Sequence, residues 1–523
     1  MRRLLVLIVP VVAVVAGFTA SGRAQRPGGA FGTWFGSLST PSGLSDPHKA
    51  VVDVTNVRPP ALVLPAGDVP DPDLTGPVIY KDLERIVRFS LENQAVGDRA
   101  WGRITGFSGA ANALNWAATR FRDAGLKDVE VQEYDGAAPG MWQATRWEAR
   151  VLPAPALRAD VPVVLGSALP TSGSTIAGGT LTAPLVFAGT IDKPIDPALD
   201  VKGKIAVQAL KSGGSAYAAR SNVSTRARDL TTRGAAAVVN AIDQTGNMYV
   251  RDFGGCGGPC FNVGAEDGEF LESAISAAHG RGVDLRMQLT LEASTRTDLR
   301  GHNVIGIVPG KNDAENIVVN AHGDGWFEAA GDNGDGFATA LALARYFAKP
   351  AHQPERTLVF VISGGHHSTG LNGPQNLVRM NKALLSKTVM VVNLEHIAQL
   401  AIHQLAPSGD VGPAPWQADP AEQQMGFAVS NQSPFLVELG HKARERYGFN
   451  IGTNFGSNVP GDLGGYEPLG VARVQAIHSG PMYHTSGDTL DTISLPGLER
   501  AARFFAYFVG EASKAPRNAI DPN

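Results

Sequence analysis

The sequence predicts an α/β protein: a mixed, mostly parallel sheet flanked by helices, with a smaller α/β unit inserted into the larger one. Three observations lead there. After Asn303, short apolar runs rich in β-branched residues alternate with helical stretches, and parallel strands need such crossovers. At 523 residues the chain exceeds one ordinary domain. With 43% hydrophobic and 18% charged residues it can bury a large core, which argues against wholesale disorder.

The chain opens with Met1-Arg2-Arg3, a mostly apolar run from Leu4 to Ala20, and small residues up to Gly22-Arg23-Ala24. That is the layout of a secretory signal over 1–24, so the protein is expected to be exported, either secreted or periplasmic. The rival is an uncleaved anchor, but the run is short for a span and contains Pro10 and Gly17. No later stretch is apolar enough to cross a membrane, so no stable span is expected after cleavage. Residues 25–75, with Arg58-Pro59-Pro60 and Pro70-Asp71-Pro72-Asp73, read as a linker or irregular surface arm.

From residue 76 to about 165 the pattern becomes regular. Leu83, Ile86, Val87, Phe89 and Leu91 have mixed helical spacing. Ala113, Leu114, Ala117, Phe121 and Ala124 line one face of a second helix that Gly125 ends. Val129 to Tyr134 alternates as a strand does. Residues 166–298 read as a separate unit, with strands near 180–186 and 204–210 and a helix near 224–234 feeding the strand 235–241. Gly203-Lys204-Ile205 and Gly234-Ala235-Ala236-Ala237-Val238 resemble the protease-associated (PA) domain; the other reading is an α/β insertion of another family. No chemistry is expected in this unit. Cys256 and Cys260, the only cysteines, lie among glycines and read as a local disulfide, since a zinc site would need two more ligands nearby.

The remaining part, 299–515 followed by a tail at 516–523, holds the chemistry. In parallel sheets ligands gather beyond the carboxyl ends of the strands. Strand 316–320 leads into His322-Gly323-Asp324 and then Gly331-Asp332-Asn333-Gly334-Asp335; a helix with Ala338, Leu341, Ala342, Leu343 and Tyr346 follows. Strand 357–362 leads into Ser363-Gly364-Gly365-His366-His367, and strand 388–394 into Glu395-His396. Met482-Tyr483-His484-Thr485-Ser486-Gly487-Asp488 precedes the last helix. One histidine after a strand is usually a hydrogen-bonded loop residue, and one Asp-Asn-Gly is usually a turn. Four such segments in succession bring together the ligand types of zinc and related ions.

The order and spacing resemble the M28 co-catalytic metallopeptidases over roughly residues 80–165 and 300–515. The resemblance implies that family's zinc-peptidase fold, one or two Zn²⁺ ions, and hydrolysis of a peptide or small amide, as in an aminopeptidase. Carried over by motif, His322, Asp332 and Glu395 would hold one metal, and Asp332 would bridge to a second held by His484. Asp324 would orient His322, Asp488 would have a structural role near His484, and Tyr483 would donate to the oxyanion. Glu328, Asp335 and Glu395 are candidates for the substrate's amino group; Trp326 and Phe327 would either form an apolar wall or pack under the loop, the commoner fate.

Two positions depart from the family pattern. Asn393-Leu394-Glu395 stands where the family has Asn-Leu-Asp, a mild change. The family's Glu-Glu pair, one base and one ligand, falls on His366 and His367 counted from the strand, or on His367 and Ser368 counted back from Gly370-Leu371. Histidine can serve either purpose, so one of His366 and His367 would ligate and the other act as base. The site would then carry less negative charge and hold a second ion more weakly. Other functions stay open: a non-catalytic binding protein of the same fold, or a hydrolase or cyclase of small non-peptide amides. The net charge of −4, without a basic run, argues against nucleic acid. The absence of a Gly-x-Ser-x-Gly elbow argues against a serine hydrolase.

Overall fold

The structure, a computed structural model, describes residues 52–522 apart from 96–100, 137–139, 158, 212–215, 244–245, 252–254, 369 and 405–415. The proposed signal, 1–24, and the first part of the arm lie outside the described residues. The central sheet has seven strands: β1 (Lys127–Asp135), β2 (Arg300–Val308), β3 (Asn312–His322), β4 (Arg356–Ser363), β5 (Thr388–Leu394), β6 (Gly426–Val429) and β7 (Ala472–Ile477). Their spatial order is β6-β7-β5-β3-β4-β2-β1. The four middle strands run parallel, whereas β6, β2 and β1 pair antiparallel at the edges.

Both faces are covered, and the strands alternate accordingly. Ile317, Val319, Phe360, Ile362 and Val392 point to one core, which they share with Leu83 of α1 (Gly76–Ala95), Ala113 of α2 (Ser108–Asp123), Leu341 of α3 (Asp335–Ala348) and Phe504 of α6 (Leu495–Lys514). Val318, Val359, Val361 and Val391 point the other way, onto Leu377 of α4 (Gly373–Met380) and onto Leu463 and Tyr466 of the segment Gly461–Leu469. Leu436 and Leu439 of α5 (Pro434–Tyr447) complete the first core.

A second sheet of eight strands is built wholly from residues between 141 and 296. This unit begins earlier than the boundary at 166 expected from the sequence. The strand Met141–Val151 pairs with Arg286–Arg296 in the second sheet, so it does not belong with β1. The chain crosses between sheets at one place: Arg300 pairs with Asp135 in the central sheet, and Arg296 with Met141 in the second. Cys256 and Cys260 form a disulfide in this unit. Among the described residues no helix is long and apolar enough to cross a membrane.

Candidate metal centre

Strand β3 delivers His322 to the carboxyl edge of the sheet, where both of its neighbours, β4 and β5, also end. The loop after it is tightly folded: a Cβ at Gly325 would lie 2.4 Å from the Ala329 Cβ and 2.7 Å from the Asp332 carbonyl oxygen. The buried Arg103 guanidinium braces this loop, donating to the carbonyls of Gly323, Glu328 and Ala329. From the other side Asp488 accepts from the backbone N–H of Gly331 and of Asp332, at 2.8 and 2.9 Å. These contacts fix the Asp332 carboxylate in the middle of the site.

Each Asp332 oxygen faces its own set of nitrogens. Oδ1 lies 3.3 Å from His322 Nε2 and 2.9 Å from His396 Nε2. Glu395 Oε1 is 3.9 Å from the first of these nitrogens and 4.0 Å from the second. Oδ2 lies 3.0 Å from His367 Nε2 and 3.2 Å from His484 Nε2, and the two imidazole nitrogens are 3.2 Å apart. Ligands at tetrahedral zinc distances stand about 3.3 Å from one another. His322 Nε2, Asp332 Oδ1, Glu395 Oε1 and His396 Nε2 are all buried and make no hydrogen bond. Orphaned donors and acceptors converging this way are costly unless a cation sits between them.

The far sides of the His322 and His396 rings are also engaged, which orients ligating imidazoles. His322 Nδ1 faces the Asp324 carbonyl at 3.1 Å, and His396 Nδ1 faces the His478 carbonyl at 2.5 Å. A carbonyl only accepts, so in each neutral ring Nδ1 carries the proton and Nε2 presents its lone pair. The Asp324 carboxylate accepts from the backbone N–H of His366 and of His367 and lies 3.4 Å from His367 Nδ1. Burial opposes charge on Asp324 and Asp332, but the facing histidines outweigh it and hold both carboxyls well below their ordinary range. Burial likewise opposes charge on His367 and His396, yet Asp332 and its neighbours push them up to about 10 and about 9. Uptake of a divalent ion must displace those protons.

His366 is placed differently from His367. Its ring stacks on His322 with centroids 4.0 Å apart, Nδ1 lies 2.9 Å from Asp462 Oδ1, and Nε2 lies 3.6 Å from Glu395 Oε1. Asp462 is itself buried and accepts from Ser363 Oγ and Asn320 Nδ2. Gly461, at φ +70°, keeps the chain close: a Cβ there would stand 3.1 Å from the His366 ring. Tyr483 stacks on His484 and meets the His396 ring.

The geometry thus gathers His322, Asp332, Glu395, His484, His366 and His367, with Asp324, Asp488 and Tyr483 beside them. It does not bring in two residues expected to meet substrate. Asp335 is fully buried, and its Oδ2 accepts the backbone N–H of Ile397 and Ala398. Glu328 turns its carboxylate to the backbone N–H of Leu490. Both carboxyls are pushed up to about 7, chiefly by burial, which ill suits capture of an ammonium group. Trp326 does line a cavity of about 260 Å³ next to His367, and its ring stacks on His484. Phe327 packs under the loop against Trp101 and Tyr249. The sequence reading missed His396, Asp462 and Arg103; only His396 carried a signal, as the immediate neighbour of Glu395.

The second unit is also closer to the chemistry than expected. Its Trp142, Trp147 and Arg251 line the same cavity, and the Arg251 guanidinium lies 4.0 Å over the Trp326 ring. Val250 bridges to Thr485, and Arg251 N donates to the carbonyl of His484.

A sheet edge that presents clustered imidazoles and carboxylates defines the class: an α/β domain with a candidate metal centre. Residues 303–509 match the model of peptidase family M28. No curated protein sequence matches the chain. Among solved structures it is similar to a zinc aminopeptidase from Bacillus subtilis, at 22% identity and TM-score 0.58, covering 87% of this chain and 99% of that one. It is also similar to a peptidase M28 precursor from Shewanella amazonensis, at 18% identity and TM-score 0.57, covering 84% and 97%. An aminopeptidase from an Aneurinibacillus strain gives 19% identity and TM-score 0.52, covering 84% and 94%. At these identities the likeness establishes the fold.

Proposed function

We propose that the protein is an exported, zinc-dependent peptidase of the aminopeptidase type. The observation that carries this reading is the Asp332 carboxylate, with one oxygen facing His322 and the other facing His367 and His484. His322, Asp332 and Glu395 would hold one ion, and Asp332, His367 and His484 would hold a second. Zinc bound there would supply Lewis acidity, polarising an amide carbonyl and making water a nucleophile near neutral pH. His366 is the general base, taking the proton of the attacking water on Nε2 while Asp462 holds Nδ1, and returning it to the leaving amine. The Tyr483 phenol donates to the carbonyl oxygen as charge develops there. The second unit, whose residues 166–298 read as PA-like, supplies one wall of the substrate cavity. Export rests on the signal-like residues 1–24.

The test is turnover of a panel of aminoacyl anilides by the purified mature protein, before and after chelation. Turnover is expected to vanish with the metal and to return when zinc is restored. Turnover that survives complete removal of metal contradicts the reading. Bound metal without turnover on any substrate would instead favour a binding protein of the same fold.

A further inference from the structure

The two groups of donors around Asp332 are unequal, and the inequality comes from His396. We infer that His396 is a fourth protein ligand, which makes the His322 site a closed, tightly held zinc site and leaves the open coordination position to the ion at His367 and His484. This rests on the metal-dependent reading above and says which of the two ions meets substrate.

Three observations support it. His396 Nε2 is buried, makes no hydrogen bond, and lies 2.9 Å from Asp332 Oδ1 and 4.0 Å from Glu395 Oε1, on the same side as His322 Nε2. Its Nδ1 is held by the His478 carbonyl, the partner arrangement that aims a ligating imidazole. Its backbone has φ 53°, a conformation uncommon for a residue with a Cβ and one that persists only where the surroundings impose it. In an extended chain, side chains adjacent in sequence point to opposite faces; this turn brings His396 round to the same point as Glu395. The His322 group thus offers two imidazoles and two carboxylates, enough to complete a tetrahedral ion. The other group offers His367, His484 and one oxygen of Asp332, the three-ligand set that leaves room for water or substrate.

The experiment measures zinc in the full chain equilibrated against a graded series of a competing chelator, with turnover followed in parallel. In the wild type one ion leaves well before the other, and turnover falls with the first. His396→Ala is expected to weaken the tighter site by more than about a hundredfold, beyond the loss typical of outer partners, so that the two ions leave together. His396→Asn, which tolerates the left-handed backbone, controls for misfolding and should show the same loss. Zinc-edge X-ray absorption gives an independent count, with four imidazoles across two ions in the wild type and three in either variant. Variants that keep both ions with wild-type affinity and an unchanged imidazole count would overturn the assignment and leave the peptidase reading standing. A wild-type chain that binds no zinc would overturn both.

Discussion

Asp332→Ala is expected to lose both ions and to drop turnover by about a thousandfold or more. The several kcal/mol that a metal supplies to the transition state sets that scale, at 1.36 kcal/mol for each factor of ten. No other residue of the site has an oxygen in each group, and Asp488 and Arg103 hold its loop from two sides. Asp332→Asn separates charge from shape: it keeps the volume, and it too should fail to retain two ions. Zinc content and anilide turnover check the prediction, with circular dichroism to verify the fold. A variant with both ions still bound would mean that the carboxylate does not bridge.

His366→Ala and His367→Ala should fail in different ways. Loss of a general base costs about 10²–10⁴-fold in rate, so His366→Ala should keep its zinc and lose kcat by that amount. His367→Ala removes one of three donors from the open site. Its ion should be lost at low zinc, and part of the turnover should return when zinc is raised. Asp462→Asn should resemble a mild His366→Ala, with a loss of roughly 10–100-fold and no change in metal content. Equal and small effects at 366 and 367 would contradict both assignments. Kinetics at two zinc concentrations, beside metal analysis, distinguish these outcomes.

Much of the site was legible because the chemistry sits where apolar strands stop. The runs ending at Asn320, Ile362 and Leu394 are unmistakably strands, and the polar residues that follow must lie at the sheet's edge. Which of two adjacent histidines turns inward was not legible, because it depends on the loop path after β4. That path is set by the Asp324 carboxylate, which takes the backbone N–H of both residues. His396 escaped notice for a related reason: alternation places it opposite Glu395, and only a left-handed residue reverses that. Asp462 lies in a glycine-rich segment about a hundred residues beyond His366, without a periodic pattern to place it. Asp335 misled in the opposite direction. It sits in a run that reads as a polar rim, but the helix α3 begins there and draws it beneath the loop.

The boundary of the second unit failed for a topological reason. Trp147, Ala149 and Val151 alternate as a half-buried strand should, yet the sequence does not say which sheet that strand joins. Its partner, Arg286–Arg296, lies far along the chain. The cavity shared by the two units was invisible for the same reason, since Trp142 and Arg251 meet Trp326 only once both sheets are folded.

Diffraction from zinc-loaded crystals, recorded on either side of the zinc absorption edge, tests the central claim most directly. Two anomalous peaks should flank the side chain at 332, one near the imidazoles of residues 322 and 396 and the other near those of 367 and 484. Peaks confined to the protein surface, or none at all in this cluster, would contradict it.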